Sequence, residues 1–469
     1  MKSASASRPF GLRDKLGYLF GDFGNDFTFL LSTTILLKFY TDVMGVSAAA
    51  VGIIIMIARF ADAFTDVTMG RICDRSPVTA GGKFRPWLRR MCVPVALSSF
   101  LLYQSSLSDM STAFKVIYLF ITYILWSSVF YTSINIPYGS MASAISADPG
   151  ERQSLSTFRS MGAALAGAVI GVLLPLAAYR KANGRDVLVG SRVTVIAGIF
   201  SILAVVCYLL CYHLTTERVV LHAKTTDQNK SSVRTMLTGA LKNRALLSII
   251  AASIVMLLAQ LTMQSMGGYI YPEYYGNAAA QSVSTAAMLL VMFLAAAIAK
   301  PLSARFGKAE ISAVANLFSA IVCIFTYFIR PANVWVFVAL QTLNWLGLGI
   351  FTMVSWALIT DVIDYSELKN GVREDGSVYA LYSFARKLGQ AAAAGVSGWL
   401  LTLIGYDPDA AAQNTVQSQS VMDGIFSIST LIPALGFALL ALILWFWYPL
   451  HKKQIAANTA ALKQKHSRE

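Results

Sequence analysis

Residues 58–87 read ARFADAFTDVTMGRICDRSPVTAGGKFRPW, and the two halves of this stretch suit different solvents. The first half continues an apolar run that starts near Ser47 and is long enough to cross a bilayer, yet it carries Arg59, Asp62 and Asp66. Each charge at that depth costs about 2.5–3.5 kcal/mol on insertion scales, so the three need partners and a task. On a helix Asp62, Thr65 and Asp66 stand at i, i+3 and i+4 and share one face. Two carboxylates and a hydroxyl there make a seat of hard oxygen ligands for a small cation or a proton. The second half is a Gly- and Arg-rich turn, and short basic loops belong on the cytoplasmic side.

The rest of the chain agrees with a membrane setting. Of 469 residues 56% are hydrophobic and 13% charged, a balance that excludes an ordinary soluble protein of this length. The net charge of +14 is spread over short loops and the two ends, which fits positive-inside topology and excludes a nucleic-acid groove. The five cysteines show neither a disulfide framework nor zinc spacing. Residues 1–15 lack a signal-peptide cleavage pattern, so the N-terminus is expected in the cytoplasm.

Apolar runs of spanning length recur about twelve times. They fall near 16–40, 47–70, 87–107, 114–137, 156–178 and 193–214, then 245–270, 283–303, 311–329, 334–359, 378–404 and 424–450. The fold class expected is an all-α membrane protein. An N-terminal six-helix bundle (1–214), a polar cytoplasmic linker (215–244) and a C-terminal six-helix bundle with a cytoplasmic tail (245–469) compose it. An even count puts both termini on one side, and Lys452 and Lys453 agree with a cytoplasmic tail; the basic loop 180–192, expected outside, is the exception.

Six plus six suggests a parallel repeat, as in transporters whose halves move about a central site. Basic turns follow the second span of each half, at 82–85 and 305–308. The fifth spans open with Arg159-Ser-Met-Gly162 and Arg386-Lys-Leu-Gly389. The match makes Arg159 and Arg386 pseudo-symmetric neighbours of a central cavity; chance similarity between Ala/Gly-rich helices is the other reading. The small residues that follow each arginine let helices pack closely.

Intramembrane ionisable groups are functional candidates. They come in balanced sets: Asp22 and Asp26 on the first span, Arg59, Asp62 and Asp66 on the second, and Arg159, Arg386 and Lys387 on the fifth and eleventh. Lys38 is expected to snorkel to the interface. The fourth span ends in Tyr131, Thr132, Asn135, Pro137 and Tyr138, where a proline frees carbonyls that can line a cavity. Trp335, Trp445 and Trp447 read as an aromatic belt, whereas Trp126 and Trp356 could also stack on a sugar ring. The acidic run Asp361 to Glu367, with Arg373, reads as a cytoplasmic loop forming a conformational latch. His213, His222, His451 and His466 lie at helix ends or in tails. No nucleophile motif, phosphate loop or metal pair is present, so neither an enzyme nor a resident cofactor is expected.

Several longer patterns carry a resemblance. Gly21-Asp-Phe-Gly-Asn-Asp26, Phe39-Tyr-Thr-Asp42, Ala58-Arg-Phe-Ala-Asp62-Ala-Phe-Thr-Asp66, Gly82-Lys-Phe-Arg-Pro-Trp87, Asn135-Ile-Pro-Tyr-Gly139, Asp361-Val-Ile-Asp-Tyr365 and Arg386-Lys387 span both halves. Together they resemble the glycoside/pentoside/hexuronide cation symporter family, of which melibiose permease is a member. The resemblance implies a major facilitator fold, twelve helices in two bundles related by pseudo-two-fold symmetry. It further implies import of a sugar or glycoside with H⁺, Na⁺ or Li⁺ by alternating access, in a bacterial cytoplasmic membrane. A monomer and a monovalent cation complete the expected partners.

Carried over by position, the family's cation site falls on Asp62, Thr65, Asp66 and Thr132. Its sugar contacts fall on Asn25, Asp26, Tyr131, Asn135, Gly139 and Arg159, with Lys387 as the charged residue of the eleventh helix; Arg386 beside it is a further expected substrate contact. Relative to melibiose permease, Thr65 replaces an amide, which favours a proton over Na⁺, Asn135 replaces a carboxylate and Gly139 a tryptophan. A pocket that loses a carboxylate and keeps its arginines welcomes an acidic glycoside, a glucuronide or sulfosugar, and the motifs around Asn135, Arg386 and Trp447 resemble the glucuronide carriers most. Asn25, where melibiose permease has a lysine, argues the other way. A lipid or lysolipid transporter on the same fold is the alternative, disfavoured by the polar fourth span; a transport-dead sensor would not need intact carboxylates.

Overall fold

The computed structural model describes residues 8–79, 81–182, 185–219, 243–370, 375–413 and 415–466. They form helices α1 (Leu12–Asp42), α2 (Ala48–Arg75), α3 (Arg85–Leu101), α4 (Thr112–Ile124), a π-helical stretch Leu125–Tyr131, α5 (Thr132–Ile145), α6 (Pro149–Ala178) and α7 (Gly190–Leu214). After these come α8 (Arg244–Tyr269), α9 (Ala279–Phe306), α10 (Lys308–Ile329), α11 (Val334–Asn370), α12 (Asp375–Leu403), α13 (Pro408–Ala412), α14 (Gln419–Leu442) and α15 (Lys452–His466). Nine helical segments among the described residues are apolar and long enough to cross a membrane, α4 to α5 counting as one. Outside that count stand α1 and α12, which hold many of the charges singled out above, and α3, which has only 17 residues.

Local chemistry sets the helix starts. Ser111 and Asp148 accept the backbone N–H of Phe114 and Glu151, and Asn243 accepts those of Ala245 and Leu246, which satisfies donors that a first turn leaves open. At α3 the Glu217 carboxylate takes the N–H groups of Lys83, Phe84 and Arg85 at 2.7, 2.9 and 2.7 Å, an anion on a helix N-terminus. The basic turn is thereby fixed, with Arg85 donating to the Tyr212 carbonyl.

Three sequence expectations are corrected. The acidic run from Asp361 to Glu367 is not a loop: it forms the last turns of α11, because no glycine or proline intervenes and Lys308 neutralises Asp361. The fourth span runs through Pro137 to Ile145, since neighbouring groups can re-satisfy what a proline frees. Lys38 does not snorkel. It is buried, pairs with Asp42 at 2.5 Å, and lies 3.4 Å from the Tyr406 hydroxyl, which donates to Asp42 at 2.8 Å. The basic loop 180–192 holds a small antiparallel hairpin, β1 (Tyr179–Ala182) with β2 (Arg185–Leu188), and Arg192 donates to the Tyr179 carbonyl.

The chain divides into two compact units, residues 1–226 with 398–418, and 227–397 with 419–469. In the first, α1 packs on α6 and α7, α3 on α7 and α5, and α2 on the π stretch and α5. A side chain at Gly162 on α6 would fall on the Leu19 carbonyl, so only glycine allows α1 and α6 this approach. Ala49 donates its N–H to Thr402 at 3.0 Å, tying α2 to the returning segment. In the second unit α10 packs on α14 and α11, α9 on α11, and α8 on α14, around Ile249, Phe351, Leu358 and Phe437. Polar side chains join helices there: Asn316 donates to the Gly347 carbonyl at 3.2 Å and Ser319 to that of Asn344 at 2.9 Å.

Candidate functional site

The charged face of α2 meets the π-helical stretch. Both serines of that stretch donate to one oxygen of Asp62, Ser127 at 2.9 Å and Ser128 at 2.5 Å. The other oxygen faces Arg59 Nη1 at 3.6 Å, and the guanidinium lies 4.7 Å over the Phe29 ring. One turn further, Thr132 donates to Asp66 at 2.8 Å. A π turn stacks residues five apart, as the contact of Thr132 with the Ser127 carbonyl at 3.2 Å records, and such turns recur at functional sites. Asp62, Asp66 and Thr132 are thus brought together, with Ser127 and Ser128 added. The Thr65 hydroxyl instead donates to the Asp62 carbonyl of its own helix at 3.2 Å. The two serines escaped the sequence reading, although a Ser-Ser pair inside an apolar span was a usable sign.

A second polar group joins α1 to α5 and α6. Arg159 donates to Asp22 at 3.0 Å, and its guanidinium lies 5.3 Å over the Tyr138 ring. Tyr138 stacks on Tyr18 at 4.6 Å and donates to the Tyr18 carbonyl at 2.6 Å. Asn25 donates to Asn135 at 3.5 Å and accepts from Tyr208 at 2.8 Å. Tyr131 lies between Phe29 and Trp126, and exposed Gly139 adjoins Arg159. Half-buried Asp26 has Asp22 and Arg159 as electrostatic neighbours but makes no hydrogen bond or ion pair among the described residues. One free carboxylate beside compensated charges can engage hydroxyl groups of a polar ligand.

In the second unit, Arg386 rests 5.8 Å from the Trp356 ring and 5.9 Å from Tyr382, and Ser253 donates to the Tyr382 hydroxyl at 2.8 Å. Lys387, next to it, is half-buried. Asp361 pairs with Lys308, both its oxygens 2.7 Å from the ammonium. Arg373, expected as a latch partner, lies outside the described residues. Trp335, Trp445 and Trp447 are exposed, as a belt requires, while Trp126 is fully buried and Trp356 is exposed. Among the described residues no group of three or more His, Cys, Asp or Glu could hold a metal ion.

Long apolar helices with paired charges inside them define a multi-pass membrane transporter of the major facilitator fold, not an enzyme. The chain belongs to the family described as MFS/sugar transport protein, whose profile matches residues 17–452. It is 31% identical over 443 residues to the glucuronide carrier protein homolog of Escherichia coli (strain K12), covering 94% of this chain and 93% of that protein. It is 30% identical over 468 residues to the putative sulfoquinovose importer of the same organism, covering 98% and 95%. Among solved structures, the D-xylose-proton symporter superposes with a TM-score of 0.62 at 13% identity, over 93% of this chain and 97% of that one, which shows the shared fold.

Proposed function

We infer that this protein is a secondary active symporter that imports a sugar or glycoside together with a cation by alternating access. The observation that carries the reading is the clasp on α2, where Asp62 and Asp66 are held inside spanning helices by three hydroxyl donors. Asp62 is buried and Asp66 half-buried, and carboxylates at that depth are costly unless charge arrives to neutralise them. A proton is favoured over Na⁺, because Asp62 already accepts two hydroxyl hydrogen bonds on one oxygen and the Thr65 hydroxyl is turned into its own helix. The residues proposed to engage the ligand are Asn25, Asp26, Tyr131, Asn135 and Arg159, with Arg386 and Lys387 as further candidates.

An acidic glycoside, a glucuronide or sulfosugar, is the favoured substrate. Arg386 has aromatic faces and no carboxylate partner among the described residues, so its five donors remain available to a carboxylate or sulfonate. The names of the two relatives point the same way. Binding of cation and glycoside to one closed state would couple them reciprocally. The protein is placed in the bacterial inner membrane, as a monomer with both termini cytoplasmic. Counterflow in proteoliposomes tests this, with neutral and acidic glycosides and with pH and Na⁺ varied independently. Uptake of acidic glycosides driven by a pH gradient is expected; uptake indifferent to every cation gradient overturns the symport reading, and preference for neutral sugars overturns the substrate.

A further inference from the structure

Four clustered polar groups among the described residues of the first unit make no hydrogen bond of normal length: the hydroxyls of Tyr40, Tyr103 and Tyr123, whose nearest polar side chains are Thr122, Ser32 and Arg59, and the indole N–H of Trp126. All four side chains are fully buried. They converge from α1, from the turn after α3, and from α4 with the π stretch. Tyr123 and Trp126 meet edge-on at 5.4 Å, and Tyr40 and Tyr103 each lie 5.6 Å from the Phe39 ring. Tyr103 has Tyr40, Tyr123 and Ser32 as its polar neighbours, and Tyr123 stands beside Arg59 and Asp62. A buried hydroxyl left unpaired costs about 1–3 kcal/mol, so four in one neighbourhood call for a ligand. Buried and polar on several sides, the neighbourhood suits water, which can satisfy two to four such groups at once.

Arg59 supplies the reason for it. Its guanidinium keeps its charge under all conditions. Among the described residues its one ion pair is with Asp62 at 3.6 Å, longer than a hydrogen bond, while the other Asp62 oxygen is occupied by two serines. A cation that neutralises Asp62 would leave Arg59 as a buried charge without a counter-ion, which is strongly unfavourable. The other titratable groups around the pair are Asp66 on α2 and Tyr123 and Tyr131 from α4 and the π stretch, and Tyr131 in turn has Asp26 and Asp22 on α1 and Arg159 on α6 as neighbours.

We propose that the pocket of Tyr40, Tyr103, Tyr123 and Trp126 is a buried water site that takes over Arg59 whenever the coupling cation occupies Asp62. The proposal rests on the symport reading. A water there accepts from the guanidinium or the indole N–H and donates to a phenol oxygen, so the arginine gains an acceptor in addition to the neighbouring Tyr123 hydroxyl. The tyrosines are positioning residues: they act on the cation through Arg59.

Tyr103→Phe and Tyr123→Phe, singly and together, test it in proteoliposomes, with two readouts: the half-saturating concentration of the driving cation, and thermal stability. The double variant is expected to raise the half-saturating concentration about tenfold, with cation-independent counterflow unchanged. In an Arg59→Met background Tyr123→Phe should then change nothing, because the charge that needs the pocket is gone. Variants that become more stable and keep the wild-type cation dependence would overturn the proposal, the hydroxyls being merely unsatisfied. A wild type without cation dependence would remove the symport reading and this inference with it; a cation-dependent wild type with unaltered variants removes this inference alone.

Discussion

Inside the first unit carboxylates and arginines meet at mid-helix, Asp22 with Arg159 and Asp62 with Arg59, while Asp26 stands free among the described residues. Inside the second, helix contacts are made by amides and hydroxyls, Asn316, Ser319 and Ser253, and the ion pair of Lys308 with Asp361 starts at the first residue of α10. Neutral polar contacts hold helices in register whatever the occupancy of a site. Carboxylates buried in a span are sensitive to every charge that comes or goes. On the symport reading, the carboxylates of the first unit respond to the ion and the neutral contacts of the second do not.

The comparison breaks most sharply at Asp62. Asp62→Asn should lower concentrative uptake about a hundredfold or more and leave counterflow in place, since the amide cannot take the cation; full accumulation by that variant would end the division of labour. Next in size, Arg386→Ala should raise the half-saturating concentration for an acidic glycoside about tenfold to a hundredfold, with a neutral glycoside little affected, and Arg386→Lys should recover only part of it. Equal losses for both substrates would assign Arg386 to structure. Ser128→Ala removes one of two donors to Asp62, and a shift of about fivefold in cation half-saturation is expected from a lost hydrogen bond of about 1 kcal/mol. The smallest effect belongs to the second unit: Asn316→Ala should cost about 1 kcal/mol of stability in a detergent melt without moving the cation dependence.

Much of the fold was legible because spanning length leaves little freedom: a run of about 20 apolar residues has one economical conformation in lipid. Errors arose where a helix outlasts its apolar run. The end of α11 is acidic and still helical, because Lys308, more than 50 residues earlier, supplies the counter-charge. At the site, the i, i+3, i+4 spacing of Asp62, Thr65 and Asp66 foretold a shared face, but the Thr65 rotamer and the π register that brings in Ser127 and Ser128 are set by packing. Depth also misled. Distance along α1 puts Lys38 at the interface, but its partner Tyr406 lies 368 residues away.

That last contact bears on how the protein can be taken apart. The first unit is not written continuously in the chain: residues 398–418 return to it from the far end and furnish Thr402 for α2 and Tyr406 for Asp42. A fragment ending after α7 would keep α1 to α7 but lack α13 and the end of α12, and it would leave the Lys38 and Asp42 pair without its capping phenol. Splitting the gene at its midpoint therefore separates two stretches of sequence without separating two self-sufficient pieces of protein.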